Sequence, residues 1–455
     1  MPRESVLRDL LPGGASAVIG GPLGRRAAPR ERSSARLLPL VVALVLLPMS
    51  VAVLRQGHCV ATGWNGDDQF WRGCFSDLPA QYQLAGLDRG LAGWLAGEIP
   101  LDQMPLLSGL MATLGGLVPG SGWLDSSRWY FALWAVALTA SLCAAVWCVG
   151  RLRPQRLDLA TQLALSPVHV VAAVISPDLV VVTLVLAAML ADASRRAVLA
   201  GVLLGLALLG HAWVALVAIT LVVSARRTER VEEAARTVVV AVATAVGVVV
   251  VLALAWPDLV TGPLTAWWAE KPGYGSVLMI PELAGHPLPA RTAPLFALVG
   301  WVGAIWAAVL MARRAWRPAT WAQVAAFAVP VLALTGPSVP VQAALWVLPL
   351  AIVAGVSWRT HLGFVAVEAV HASALWLHIA AASDPDRGLP APWYAVVVLG
   401  RAIAWAFLLW SVWYTPVDNP APPPIHAAGG ADPVTAPQTH PAHLRRPQPS
   451  GTGRV

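Results

Sequence analysis

Long apolar runs joined by short arginine-bearing connections fill the chain from residue 37 to residue 414, and this alternation predicts helices that cross a membrane. A spanning helix needs about 20 mostly apolar residues, whereas runs of about 10 to 14 are more often re-entrant or interfacial. On that rule, full spans are expected near 37 to 54, 129 to 149, 157 to 175, 179 to 193, 237 to 255, 293 to 312, 319 to 335, 341 to 357, 361 to 381 and 392 to 414. Two stretches read differently. Residues 104 to 118, interrupted by Gly109, Gly115 and Gly116, predict a re-entrant or interfacial helix, and 197 to 223 predict two half-helices meeting at Gly210-His211. The expected fold class is all-α, a polytopic transmembrane bundle of about 10 to 12 membrane helices with a large first outer loop over 55 to 128.

Composition agrees. Of the 455 residues 57% are hydrophobic and 12% charged, against roughly a quarter charged in soluble domains. The net charge of +7 comes from arginine, with Lys271 the one lysine. These arginines sit beside apolar spans, at 151 to 156, 195 to 196, 226 to 236 and 313 to 317. That placement is a topology signal and excludes a nucleic-acid footprint. With the N-terminus in the cytoplasm, all four clusters fall on the cytoplasmic side. Counting either short run as one full crossing would move clusters outside, so the charge pattern supports the broken-helix reading. The first apolar run follows an arginine-rich segment and lacks an A-x-A-type exit, so it reads as a retained anchor. Residues 1 to 36 and the proline-rich 415 to 455 are expected to be disordered cytoplasmic extensions of a multi-pass plasma-membrane protein.

Under this topology the polar groups of the outer face are Asp77, Asp178, His211, the segment Trp267-Trp268-Ala269-Glu270-Lys271, the segment Thr335-Gly336-Pro337-Ser338, Gln342 and the Asp384, Asp386, Arg387 group. Because broken helices at membrane depth line cavities or lie within protein, an outward-facing polar cavity is expected. Asp77 has two readings: a catalytic base, or an N-cap for a helix beginning near Pro79. Leu84, Leu87, Leu91, Trp94 and Leu95 recur at helical spacing and predict an amphipathic interfacial helix. His361, Glu368, His371 and His378 share one stripe of a later span. Half of a metal motif is visible there without its partner, so no metal site is assigned and an internally bonded pair is expected. Cys59 and Cys74 are a candidate disulfide of an oxidising outer face, and Cys143 and Cys148 read as packing residues.

Three groups of residues carry a resemblance. The first is Cys74-Phe75-Ser76-Asp77-Leu78-Pro79-Ala80-Gln81-Tyr82 followed by Asp88-Arg89-Gly90-Leu91. The second is Asp178-Leu179-Val180 with Arg195-Arg196-Ala197 running on to Gly201 and Gly205, and the third is Gln342 with Leu345-Trp346-Val347-Leu348-Pro349-Leu350. In this order they resemble the actinobacterial polyprenyl-phosphate-dependent glycosyltransferases of family 87, integral membrane proteins of the GT-C fold that include mannosyltransferases. The resemblance implies a hexosyl transfer, with mannose the expected sugar, from a polyprenyl-phosphate sugar to a glycolipid or cell-wall glycan acceptor, with inversion. No cofactor is implied beyond that donor substrate. Asp77 would be the base. His211, Lys271 and Arg89 would meet the donor phosphate, and Trp267, Trp268, Asp178, Gln342 and His378 would hold sugar or lipid. The expected partners are membrane lipids, the lipid-linked donor and the envelope acceptor.

The chain also departs from that family. It has His211-Ala212-Trp213-Val214 where members read K-L-Y-P, and Asp102-Gln103-Met104-Pro105 where they read E-Y-P-V. A neutral imidazole in place of an ammonium changes how a phosphate is met. Two other readings therefore stand beside the enzyme: a transporter or flippase for a lipid-linked glycan, and a catalytically silent partner in an envelope complex.

Overall fold

A computed structural model describes residues 31–120, 122–313 and 318–416. The expectations for the two tails otherwise fall outside these residues, although the first helix already begins at Glu31. Among the described residues every regular element is helical and there is no strand. Six helices are long and apolar enough to cross a membrane: Arg36–Arg55, Leu124–Leu152, Val231–Ala255, Thr292–Arg313, Trp358–Ala380 and Ala391–Tyr414. The protein is a multi-pass helical membrane protein.

The other four expected spans are shorter. Residues 157 to 175 split into Leu157–Ala164 and Val168–Ala172 around Pro167, which cannot continue a helix. The remaining three become Asp178–Ala193, Trp321–Leu334 and Ala343–Ala354. The reason lies in what surrounds them. Every residue of Ala343–Ala354 is buried by protein, and a helix that is apolar all round is a core helix, free of the length a lipid bilayer imposes. By contrast Val231–Ala255 leaves Val239, Val242, Val246, Val251 and Leu254 exposed along its length, as a lipid-facing helix does.

The stretch 197 to 223 forms two half-helices, Ala197–Leu208 and Trp213–Ala225, that meet at Gly210-His211. Their outer ends return to one side, because Arg230 pairs with Asp192 and Arg195 with Glu233. Ala197–Leu208 lies parallel to Val231–Ala255 at backbone contact. A Cβ on Gly201 would stand 2.6 Å from the Thr237 carbonyl oxygen, and one on Gly205 would stand 2.6 Å from that of Ala241. This is small-residue packing of the kind that lets membrane helices approach closely. Gly201→Val should therefore cost about 1–3 kcal/mol through overpacking. An unchanged melting temperature in detergent would show that the two helices are not so tightly joined.

The first loop is a chain of short helices. A disulfide joins Cys59 to Cys74 and closes the segment holding Trp64 and Trp71. The single amphipathic helix expected over 84 to 95 is not formed. The chain turns at Gly86 and Gly90, both with positive φ, and separates Asp77–Ala85 from Gly90–Leu95. Leu87 and Trp94 are buried while Leu84 and Leu91 are exposed, so helical spacing was read across two turns that reset the register.

Candidate functional site

Local hydrogen bonding brings the first loop against the start of helix Asp178–Ala193. Ser76 accepts from the Leu78 amide as N-cap and donates to the Val174 carbonyl at 2.7 Å. The Asp77 amide donates to the Ile175 carbonyl at 3.0 Å. Asp77 is consequently the first residue of helix Asp77–Ala85 and not its cap. That answers one of its two readings, since Ser76 fills the capping role. No donor among the described residues bonds the Asp77 carboxylate, and it lines a cavity of about 330 Å³.

Seven segments converge on this cavity. Asp77 and Gln81 come from the first loop, Asp178 from its helix start, and His211 and Trp213 from the half-helix break. Trp267 and Glu270 close one side, Trp301 and Ala333 another, and the segment from Gly336 to Trp346 completes the wall. Trp346 donates its indole N–H to Asp178 at 2.8 Å and packs its ring 4.4 Å from the His211 imidazole. Asp178 is thereby held in place, 5% exposed, at a helix N-terminus that favours its charge. Burial, and then the negative charge of Asp178, push the Asp77 carboxyl from its ordinary 3.8 up to about 7. Burial also raises the Glu270 carboxyl. Gln81 Oε1 and Trp213 Nε1 are among the polar atoms buried on the cavity wall without a protein partner, an acceptor and a donor open to a ligand.

Of the sequence candidates, Asp77, Asp178, His211, Trp267 and Gln342 meet here. The rest do not. Arg89 lies on the exposed rim of the first loop and donates to the Glu98 carbonyl at 2.6 Å. Lys271 and Trp268 are exposed and line no part of the cavity, although their neighbours Glu270 and Trp267 do. His378 is turned away, donating through Nδ1 to the Leu389 carbonyl at 3.0 Å and stacking on Tyr394. No arginine or lysine is among the described residues that line the cavity, and His211 is the one histidine among them.

The stripe of helix Trp358–Ala380 disperses to separate partners. His361 bonds Ser166 at 2.8 Å, and His371 approaches the Tyr394 hydroxyl at 3.4 Å. Glu368 pairs with Arg401 at 2.9 Å and accepts from Trp405 at 2.6 Å, rather than bonding His371. Among the described residues no group of three or more His, Cys, Asp or Glu is arranged to hold a metal. Arg401 continues beyond Glu368 to the carbonyls of Val339 and Pro340. It thus ties the cavity wall at Pro340 to two spanning helices, a role that sequence reasoning missed. Its one visible signal was an arginine stranded within an apolar span, where an ionisable group requires a partner.

Compared with family models, with characterised proteins and with solved structures, the chain shows no match.

Proposed function

We propose that the protein is an integral membrane glycosyltransferase that takes a hexose from a polyprenyl-phosphate sugar and passes it to a hydroxyl of a lipid or cell-envelope glycan. The observation that carries this reading is Asp77: an unbonded carboxylate with a pKa of about 7 on the wall of a tryptophan-bearing cavity. A general base works best when its pKa lies near the operating pH. In the reaction, the acceptor oxygen attacks the anomeric carbon as the bond from that carbon to the phosphate oxygen breaks. The departing polyprenyl phosphate keeps the electron pair, and Asp77 takes the proton of the attacking hydroxyl. Attack opposite the leaving group inverts the anomeric centre.

The cavity chemistry supports a sugar better than it supports a phosphate. Indole faces stack on the apolar faces of sugar rings, and Gln81, Gln103 and Gln342 are suited to bond hydroxyls. His211, on the cavity wall beside Asp178, is the group positioned to donate a hydrogen bond to the departing phosphate. In this reading the cavity faces the extracytoplasmic side of the plasma membrane, and the arginine-rich connections face the cytoplasm.

The two adjacent tryptophans provide a discriminating test. Trp267→Ala should raise KM for the donor or acceptor about tenfold, the size of a lost aromatic contact, whereas Trp268→Ala should leave both constants unchanged. Equal responses would remove Trp267 from the site.

A second reading has its own observation, since half-helices meeting at a polar cavity also mark transporters of lipid-linked cargo. Transfer of radiolabelled sugar in detergent, where no compartments exist, separates the two. Product formation supports the transferase, and its absence alongside vesicle transport supports the carrier.

A further inference from the structure

A second cleft lies at the opposite end of the bundle from Asp77. Helix Asp178–Ala193 starts at the cavity and ends beside this cleft, and its 16 residues rise about 24 Å at 1.5 Å each. The cleft is an open depression of about 700 Å³ at the N-terminal ends of helices Ala197–Leu208 and Val231–Ala255. Arg195, Arg196, Arg236 and Glu233 form its polar side, and Val198, Leu199 and Val202 its apolar side.

Three features make it unlike an ordinary solvated arginine cluster. The two helices run parallel, so both of their positive dipole ends open at this mouth, and the close approach at Gly201 and Gly205 fixes the spacing. Glu233 is already committed to Arg195 and Arg230. Arg196 and Arg236 have no ion-pair partner among the described residues. Positive charge is therefore left over at this mouth. On the apolar side Val198 and Leu199 are exposed, as are Val239 and Val242 further along the lipid-facing helix. An occupant must be negative at one end and apolar at the other.

We propose that this cleft binds an anionic phospholipid, with its phosphate between Arg196 and Arg236 and its acyl chains along Val198, Leu199 and Val202. Basic pockets between membrane helices at a membrane surface are suited to such headgroups.

Native mass spectrometry of the purified full chain in micelles containing equal phosphatidylglycerol and phosphatidylcholine tests the site. The expected result is preferential retention of phosphatidylglycerol, reduced about tenfold or more in an Arg196→Ala, Arg236→Ala double variant. A control variant, Arg226→Ala with Arg227→Ala, alters the same end of the molecule away from the cleft and should retain the preference. Glycerol 3-phosphate, which offers the phosphate without acyl chains, should not compete at equal concentration. Equal retention of the two lipids, or equal loss in both variants, would overturn the proposal. Displacement by glycerol 3-phosphate would reassign the cleft to a soluble phosphate. Both double variants should melt with the wild type, since none of the four side chains makes a buried contact.

Discussion

Asp77→Asn should reduce sugar transfer by about 10²- to 10⁴-fold, the usual contribution of a positioned general base, while the protein still folds. The amide is nearly isosteric, and the helix keeps its start because the cap is Ser76. The wild-type rate should rise with pH through about 7, since the ionised carboxylate is the active form. Stability should move the other way. The folded state holds this proton up to about pH 7, whereas the unfolded chain releases it near 3.8. The folded state therefore binds more protons between those values, and its stability falls as pH rises across that window. In Asp77→Asn both slopes should flatten. A variant that keeps wild-type turnover and its pH profile would place the base elsewhere.

The second large effect is structural and lies about Arg401. Arg401 and Glu368 are each 1% exposed and fully bonded to one another, to Trp405 and to the carbonyls of Val339 and Pro340. Removing one member leaves a charge stranded in a low-dielectric interior, so Arg401→Met should cost about 3–5 kcal/mol. Neutralising both, with Arg401→Met and Glu368→Gln, should recover part of that loss because no unpaired charge remains. Thermal or denaturant unfolding in detergent reads the difference. A double variant as unstable as Arg401→Met alone would show that the packing of the arginine, and not the pairing, carries the effect. Transfer should be slowed in both variants, because Pro340 and its neighbours form part of the cavity wall.

Much of this architecture was legible in the sequence, for identifiable reasons. Arginine placement and apolar run length report on membrane position, so the six spanning helices and the break at Gly210-His211 could be read directly. The meeting of Asp77, Asp178 and His211 followed from the same topology, because all three fall at one end of their segments. What stayed hidden was partnership. Periodicity says which residues share a face, but not what that face meets, so Glu368 was grouped with the histidines of its own helix and not with Arg401. The internal helices were also misjudged, because hydropathy cannot distinguish lipid from protein as the apolar surroundings of Ala343–Ala354. Arg89, Lys271 and Trp268 failed for a third reason. Trp267 and Trp268 are neighbours on helix Asp258–Ala269, where successive side chains point about 100° apart, and Glu270 and Lys271 follow just past its end; no sequence rule chose Glu270 over Lys271 or Trp267 over Trp268.

The central claim is that the cavity at Asp77 is where a lipid-linked sugar reacts. A structure of the protein with a nonhydrolysable polyprenyl-phosphonate sugar tests it most directly. The account predicts density for the sugar beside Trp267, the phosphonate towards His211, and the Asp77 carboxylate on the face of the anomeric carbon opposite the phosphonate. Density for the analogue in another part of the bundle, with this cavity empty, would contradict it.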